Sequence, residues 1–387
     1  MIPAAVWYRL KPIMVKILHT ADIHLGCEFP FLREKGVEHR NQLLRTFEKI
    51  VDLAISEDVS LLLIAGDLFN TNRVHGIIIG KVLAAFKKLE GKGIRVCIIP
   101  GTHDIYNEDS IYRFVNFPSN VTVFTPAHDR EFYEDLDLTV YGEVFDGRYV
   151  DESPIQRLSL SEDSKYHVGM AHCSIKIEGW VEKDALLLGR NEIANSGLDY
   201  LALGHWHSFQ DFSQGNTKAF YCGAPEPVSM DQEGAGNVIM VTMRGKGDIA
   251  VEPIRVGTRQ FAKLTVDVGS VKSMADIVPL VEAKADPDLI LELTLKGLCG
   301  MDYELNPRDI EDELGDRFFC LRVVDKSHPR LEEVALENIP EETVKGKFIK
   351  IMQERIKSAD NEEDRELYEE ALKLGFACLQ GRTQVIE

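Results

Sequence analysis

Apolar and polar positions change their period several times along the chain, and each change predicts an element. From about 15 to 223, short apolar runs of strand length alternate with stretches whose apolar residues recur at helical spacing. VKILHTAD predicts a strand. A helix over about 39–57 follows it, with Leu43, Leu44, Phe47, Ile50, Val51 and Ala54 at the 3, 4, 7 spacing of one face. SLLLIAGD predicts the next strand, about 74–89 a second helix, and IRVCIIPG, YHVGMAH and DYLALGH three further strands. This alternation predicts a layered α/β domain.

From about 238 to 324 the pattern shifts to shorter β-rich runs (NVIMVTM, IAVEPIRV, FAKLTVDV, LILELTL, FFCLRVV) around one helix near 273–285, which predicts a smaller α+β domain. Beyond His328-Pro329 the chain turns helical and acidic. Val344, Phe348, Ile351, Met352 and Ile356 line one stripe. A second helix is expected to open at Asp360, with Glu363 reaching back to complete a cap, and to stop near Gly375. Met14 directly precedes the first strand, so 1–13 reads as an upstream extension, and the domains divide as 14–230, 231–328 and 329–387.

Composition narrows the class. Of 387 residues, 44% are hydrophobic and 28% charged, ordinary globular proportions. No run approaches the roughly 20 apolar residues of a membrane-spanning helix, and no membrane contact is expected. The 44 basic against 63 acidic side chains leave a net charge of −19. Such a field repels polyanions, so nucleic-acid binding would have to rest on a local patch or on bound cations. Seven scattered cysteines without a CxxC pair read as the reduced thiols of a cytoplasmic protein.

Five short clusters close successive predicted strands: Asp22-Ile23-His24, Gly66-Asp67, Gly101-Thr102-His103-Asp104, His172, and Gly204-His205-Trp206-His207. Mixed carboxylates and imidazoles suit manganese, zinc or iron, because calcium and magnesium prefer all-oxygen shells. The D-x-H and H-x-H steps put both side chains on one side of an extended segment. Taken singly, an Asp or His at a strand end is more often a cap or a turn former. Five in succession, with no comparable grouping elsewhere, point to a dinuclear metal site. His39, His75, His128, His167 and His328 read as solvated or locally hydrogen-bonded, and His19 as a partner of the ligands.

HTADIHLG at 19–26, LLIAGDLFN at 62–70, IIPGTHD at 98–104, GMAHCSI at 169–175 and LGHWH at 203–207 resemble the calcineurin-like metallophosphoesterase signature. With a β-rich cap and a helical tail behind these motifs, the chain is similar to the SbcD / meiotic-recombination-eleven DNA repair nuclease family. The tail segment ETVKGKFIKIMQERI resembles bacterial SbcD relatives of the YhaO type. The resemblance implies an α/β fold: a layered β-sandwich metallophosphoesterase (nuclease) core flanked by helices over 14–230, a smaller α+β capping domain over 231–328, and a helical tail over 329–387 that binds an ATPase partner.

Carried over by position, the resemblance implies that Asp22, His24 and His207 hold one metal, that Asp67 bridges, and that His172, His205 and residue 102 hold the second. The family has asparagine at that last position, and this chain has Thr102, a shorter and weaker ligand. His103 is implied to sit over the phosphate, stabilising charge or protonating the leaving oxygen, with Asp104 orienting it. Asn70 stands where the nuclease branch often carries a second active-site histidine, and Arg73 and Lys176 are candidates to neutralise backbone phosphates.

The activity so implied is that of a metal-dependent DNA phosphodiesterase in double-strand break repair, with 3′–5′ exonuclease and single-strand endonuclease action and two divalent ions, manganese foremost. The implied partners are DNA, an SMC-like ATPase of the SbcC type and a second copy of the chain. For the last, Ile77, Ile78, Ile79, Val82, Leu83 and Phe86 give the second helix apolar surface on more than one face. Two alternatives stand beside this: a phosphoesterase acting on nucleotides or small phosphodiesters, and a weakly active subunit that mainly binds the ATPase, which Thr102 motivates.

Overall fold

A computed structural model describes residues 14–147, 153–155, 158–181, 183–184, 186–230, 233–271, 273–299, 306–329, 339–359 and 361–379. The expected 1–13 extension lies outside them, as do Asp360, 330–338 and 380–387. The chain divides into two compact units, Met1–Gln260 and Phe261–Glu387.

The first unit opens with β1 (Val15–Thr20), α1 (Gly36–Ser56), β2 (Leu61–Ala65), α2 (Gly76–Glu90), β3 (Arg95–Ile99), α3 (Ile111–Phe114), β4 (Val121–Val123), β5 (Arg130–Tyr133) and β6 (Leu138–Gly142). It continues with β7 (Tyr166–His172), β8 (Ser174–Ile175), β9 (Leu187–Leu188), α4 (Arg190–Asn195), β10 (Tyr200–Gly204), β11 (Gln210–Asp211), β12 (Lys218–Tyr221), β13 (Asn237–Gly245) and β14 (Asp248–Arg255). Two six-stranded sheets result, ordered β14-β13-β1-β2-β3-β4 and β11-β12-β10-β7-β6-β5. β1 to β4 are mutually parallel, and so are β6, β7, β10 and β12.

Alternation along the strands builds the sandwich. Val15, Ile17, Leu61, Leu63, Cys97 and Ile99 of the first sheet share one buried core with Leu138, Val140, Val168, Met170, Tyr200 and Ala202 of the second. Leu18, Leu62, Ile64 and Ile98, which point the other way, are also fully buried. Central parallel strands covered on both faces have this character. α2 packs on β3, and α1 meets α2 through Phe47 and Phe86, ring centroids 6.0 Å apart. The expected layered α/β sandwich with flanking helices is the fold that forms.

The boundary expected at 230/231 falls elsewhere. β13 and β14, whose place in a β-rich stretch had put them in the second domain, join the first sheet, with β13 antiparallel to β1 from Val15↔Met243 to His19↔Ile239. An apolar run of strand length marks a strand but does not name its neighbour. The second unit contains β15 (Gln260–Asp267), α5 (Met274–Glu282), β16 (Asp286–Cys299), α6 (Pro307–Leu314) and β17 (Phe318–Pro329), with sheet order β15-β16-β17 and β16 parallel to β17. Ile277 and Val281 of α5 and Ile310 and Leu314 of α6 bury against Leu291, Leu293, Leu295 and Val323.

The tail forms α7 (Val344–Lys357) and α8 (Glu362–Leu379). Ile349 and Met352, with Phe348 half-buried beside them, pack on Leu372 and Phe376, whereas Val344 and Ile351 of the expected stripe are exposed. α8 runs through Gly375 rather than stopping there. That glycine serves close packing, since a β-carbon at 375 would overlap the Phe348 ring. The cap stands one residue later than expected: Asn361 Oδ1 accepts from Asp364 N at 2.8 Å.

Candidate metal centre

Parallel strands deliver their C-terminal ends to one edge of a sheet, and the five clusters sit at or just beyond the ends of β1, β2, β3, β7 and β10. Short hydrogen bonds lock these ends together. Asp22 N donates to Gly66 O (3.1 Å) and His24 N to Asp67 O (2.9 Å). The two sheets are joined at the same edge, because His205 N donates to both Asp22 carboxylate oxygens (3.0 and 3.1 Å) and His172 Nδ1 to Ala65 O (3.0 Å). His103 N donates to Asp67 Oδ1 at 2.8 Å.

The backbone bends sharply to aim these side chains. Asp22, His24 and Asp67 have φ of 53°, 50° and 49°, and His205 has 103°, the left-handed region that non-glycine residues rarely adopt. Gly66, at φ 92°, lets β2 end directly beneath the His172 imidazole, where a β-carbon would overlap the ring.

Donor atoms converge in three overlapping groups, each with its atoms within 4.8 Å of one another: Asp22, His24 and His207; His24, Asp67 and His103; Asp22, Asp67 and His172. Asp67 Oδ2 faces His172 Nε2 at 3.2 Å and His24 Nε2 at 3.7 Å. Thr102 Oγ1 lies 3.4 Å from Asp67 Oδ2 and 3.5 Å from His172 Nε2, so its hydroxyl sits at the edge of the cluster. The His205 ring stands beside that of His172, centroids 5.3 Å apart.

The charge balance of this donor set fits divalent cations. Burial pushes the Asp22 carboxyl well above the usual carboxylate range, and neighbouring Asp67 adds to it. Burial acts downward on His172, but the Asp67 and Asp22 carboxylates outweigh it and push the imidazole up to about 10. For Asp67, burial acts upward, yet His172 and His24 hold the carboxyl well below its usual range. Burial holds His24 down at about 3, and its Nε2 is buried with no hydrogen-bond partner among the described residues. A pocket that retains protons on His172 and Asp22 is short of positive charge, a deficit that bound cations remove.

Several expected roles change. Asp104 does not orient His103. Its buried carboxylate accepts from Gly101 N (2.7 Å), Phe69 N (3.1 Å) and the Tyr112 hydroxyl, which pins the loop after β3 to the loop after β2. His103 Nδ1 instead faces Asn70 O at 3.2 Å. The Asn70 side chain, expected beside phosphate or DNA, meets a ligand: its Oδ1 lies 3.2 Å from His24 Nδ1 and accepts that N–H, leaving Nε2 toward Asp67. Arg73 and Lys176 are exposed and line neighbouring surface depressions rather than the cavity above the cluster. His19 Nδ1 meets the Tyr200 hydroxyl at 2.8 Å between the sheets and reaches no ligand. His39, expected to be solvated or locally hydrogen-bonded, is buried with Nε2 donating to the sequence-distant Pro227 O at 2.7 Å.

Sequence reasoning missed Asp184, in the loop between β8 and β9. Trp206 Nε1 donates to Ser174 Oγ (3.0 Å), Ser174 Oγ donates to Asp184 Oδ2 (2.5 Å), and His205 Nε2 lies 3.0 Å from that same oxygen. An indole N–H can only donate and a carboxylate only accept, so the chain runs one way and His205 carries its proton on Nε2. Its Nδ1 is left with the lone pair. A cavity of about 590 Å³ opens on the cluster, lined by Asp67, Thr102, His103, His205 and His207 and also by Trp180, Val181 and Trp206.

Buried carboxylates and imidazoles at the strand ends of a two-sheet sandwich, beneath an open cavity, define a metal-dependent hydrolase centre. The calcineurin-like phosphoesterase family profile matches residues 15–209, half of the chain, and the chain belongs to that family of metal-dependent phosphoesterases. Over 282 residues it is 27% identical to the metallophosphoesterase YhaO of Bacillus subtilis, covering 68% of this chain and 66% of that one. It is also 27% identical over 283 residues to the DNA double-strand break repair protein Mre11 of Aeropyrum pernix, again 68% and 66%. Mre11 of Halobacterium salinarum is 23% identical over 300 residues, 73% and 71% of the two chains. The chain thus spans just under two thirds of the length of the first two relatives. A solved structure, TT1561 of Thermus thermophilus, superimposes on 63% of this chain and 100% of its own, with a TM-score of 0.40 and 14% identity, too distant to bear on the site. No helix among the described residues is long and apolar enough to cross a membrane.

Proposed function

We propose that the chain is the nuclease subunit of a DNA double-strand break repair system, a two-ion, manganese-dependent phosphodiesterase with 3′–5′ exonuclease and single-strand endonuclease activity. The observation that carries this reading is the convergence of Asp22, His24, Asp67, His172 and His207 at strand ends from both sheets, in a chain similar to Mre11 proteins. Asp22, His24 and His207 would hold one ion, His172, His205 and Thr102 the other, and Asp67 both. Two divalent cations there supply Lewis acidity toward the phosphate and acidify the attacking water.

The chain's own groups do the rest. Asn70 and Asp184 hold the rings of His24 and His205 so that Nε2 of the first and Nδ1 of the second carry lone pairs. Asp104 fixes the loop that carries His103. With Nδ1–H of His103 donating to Asn70 O, its Nε2 is the nitrogen that gives a proton to the departing oxygen. Cations at the site, with the exposed Arg73 and Lys176, would offset the net −19 near a DNA strand.

The exposed Val344, Ile351 and Leu367 of α7 and α8 offer apolar surface to an SMC-like ATPase of the SbcC type. On α2, Ile78, Val82 and Phe86 are buried in the subunit, which leaves the exposed Ile77 with the half-buried Ile79 and Leu83 for a second copy in a homodimer. The test is cleavage of linear duplex and single-stranded DNA with manganese, beside a His103→Ala variant expected to lose about 10²- to 10⁴-fold in turnover. Turnover of bis(p-nitrophenyl) phosphate with no cut in any DNA would transfer the activity to small phosphodiesters.

A further inference from the structure

Trp180 is 74% exposed, and the turn that carries it is built. Ile177 and Val181 pair as an antiparallel bridge, Trp180 N and Val181 N both donate to Ile177 O (3.0 and 2.8 Å), and Gly179 takes φ 76° between them. The indole lies 6.0 Å from Trp206, centroid to centroid, tilted by 55°. Trp206 is itself fixed, stacked on Tyr221 at 5.0 Å and 12° and bonded to Ser174. Both indoles line the cavity that contains Asp67, Thr102 and His103. On the same loop, Lys176 and Lys183 line a second depression with Arg190 at the start of α4, Glu178 among them. A cationic group of this kind next to the site stands out in a chain of net charge −19.

An aromatic ring at the mouth of a phosphoesterase cavity, with cations beside it, matches the chemistry that recognises an unpaired strand: ring faces take bases, and cations track the backbone. In a duplex both faces of each base are already covered, so the ring selects single strands and frayed ends. We propose that Trp180 is a base-stacking platform, receiving the base of an unpaired nucleotide beside the scissile phosphate while Lys176, Lys183 and Arg190 meet neighbouring phosphates. This inference rests on the nuclease reading and specifies its substrate.

The test compares wild type, Trp180→Ala and Trp180→Phe on a 20-residue thymidine oligonucleotide and on an equally long strand of abasic residues. Base–ring stacking energies predict a KM raised about 5- to 150-fold by Trp180→Ala on the thymidine strand, with kcat kept. Trp180→Phe should stay within a few-fold of wild type, and the abasic strand should show no difference between variants. An unchanged KM, or an equal loss on both strands, overturns the proposal, as does quenching by an apolar partner peptide but by neither strand. If wild type cuts no DNA, the nuclease reading fails by itself. Indole emission present in wild type and absent from Trp180→Phe then decides: quenching by the thymidine strand alone upholds the platform, and no quenching removes it.

Discussion

Replacing Asp184 by alanine removes the acceptor of His205 Nε2–H and frees the ring to turn and to move its proton. The lost hydrogen bond is 3.0 Å long and ends on a carboxylate. Bonds to charged groups contribute about 1.5–3 kcal/mol. The two side chains are 26% and 27% exposed, and screening by water puts the value at the lower end, about 1.5 kcal/mol. That amount corresponds to about tenfold in affinity for an ion held by His205, at the low end of the ten- to hundredfold usual for such supporting partners. Calorimetric titration of metal-free protein with manganese is the assay. An ion that Asp22, His24 and His207 would hold should bind Asp184→Ala as it binds wild type, one that His205 would hold should bind about tenfold more weakly, and Asp184→Glu should recover part of the loss. Equal weakening of both ions, or no weakening, would refute the argument.

Thr102→Asn places an amide carbonyl at the edge of the cluster where a hydroxyl lies 3.4 and 3.5 Å from Asp67 and His172; the second ion should bind about tenfold more tightly and turnover should rise, and an unchanged titration would show that the hydroxyl suffices. Gly66→Ala combines a left-handed φ, costing about 1–2 kcal/mol, with overlap on His172 costing about 1–3 kcal/mol, so urea unfolding should show a loss of about 2–5 kcal/mol together with loss of metal; a loss below about 1 kcal/mol would mean that the strand end relaxes. His39 and His19 are held down at about 4 and about 3 by burial. The unfolded chain therefore binds more protons below its histidine pKa of about 6.5, and stability falls with pH from there toward about 4, at about 1.4 kcal/mol per pH unit for each histidine. His39→Gln keeps a donor for Pro227 O and should lessen the loss between pH 6.5 and 5 by about 2 kcal/mol; parallel stability curves would contradict the assignment.

The strands that carry the centre were legible because each is a mostly apolar run closed by a polar cluster, as in LLLIA before Gly66-Asp67. That pattern fixes both the strand and its end. β13 and β14 were misplaced because a β-rich run fits any sheet, and the partner of β13, β1, lies more than two hundred positions away. Asp184 was illegible for a related reason: no histidine flanks it, and its link to His205 exists only once folding brings the two side chains within 3.0 Å. For Asp104, sequence adjacency to His103 suggested a contact that the buried Tyr112 and the backbone of Phe69 take instead. Gly375 shows the same limit, since a glycine near a helix end signals a stop unless a ring such as Phe348 packs against it.

The left-handed backbone at Asp22, His24, Asp67 and His205 has an evolutionary side. Each such residue costs about 1–2 kcal/mol in an L-amino-acid chain, and the buried Asp22 carboxyl adds a desolvation cost. Asp22→Asn would remove that cost with a residue that tolerates the same φ, so the metal-free variant should melt above wild type while holding metal less well. Drift toward robustness alone would therefore dismantle this centre one residue at a time. Only continued selection on turnover can keep four strained residues at the same edge of the sandwich.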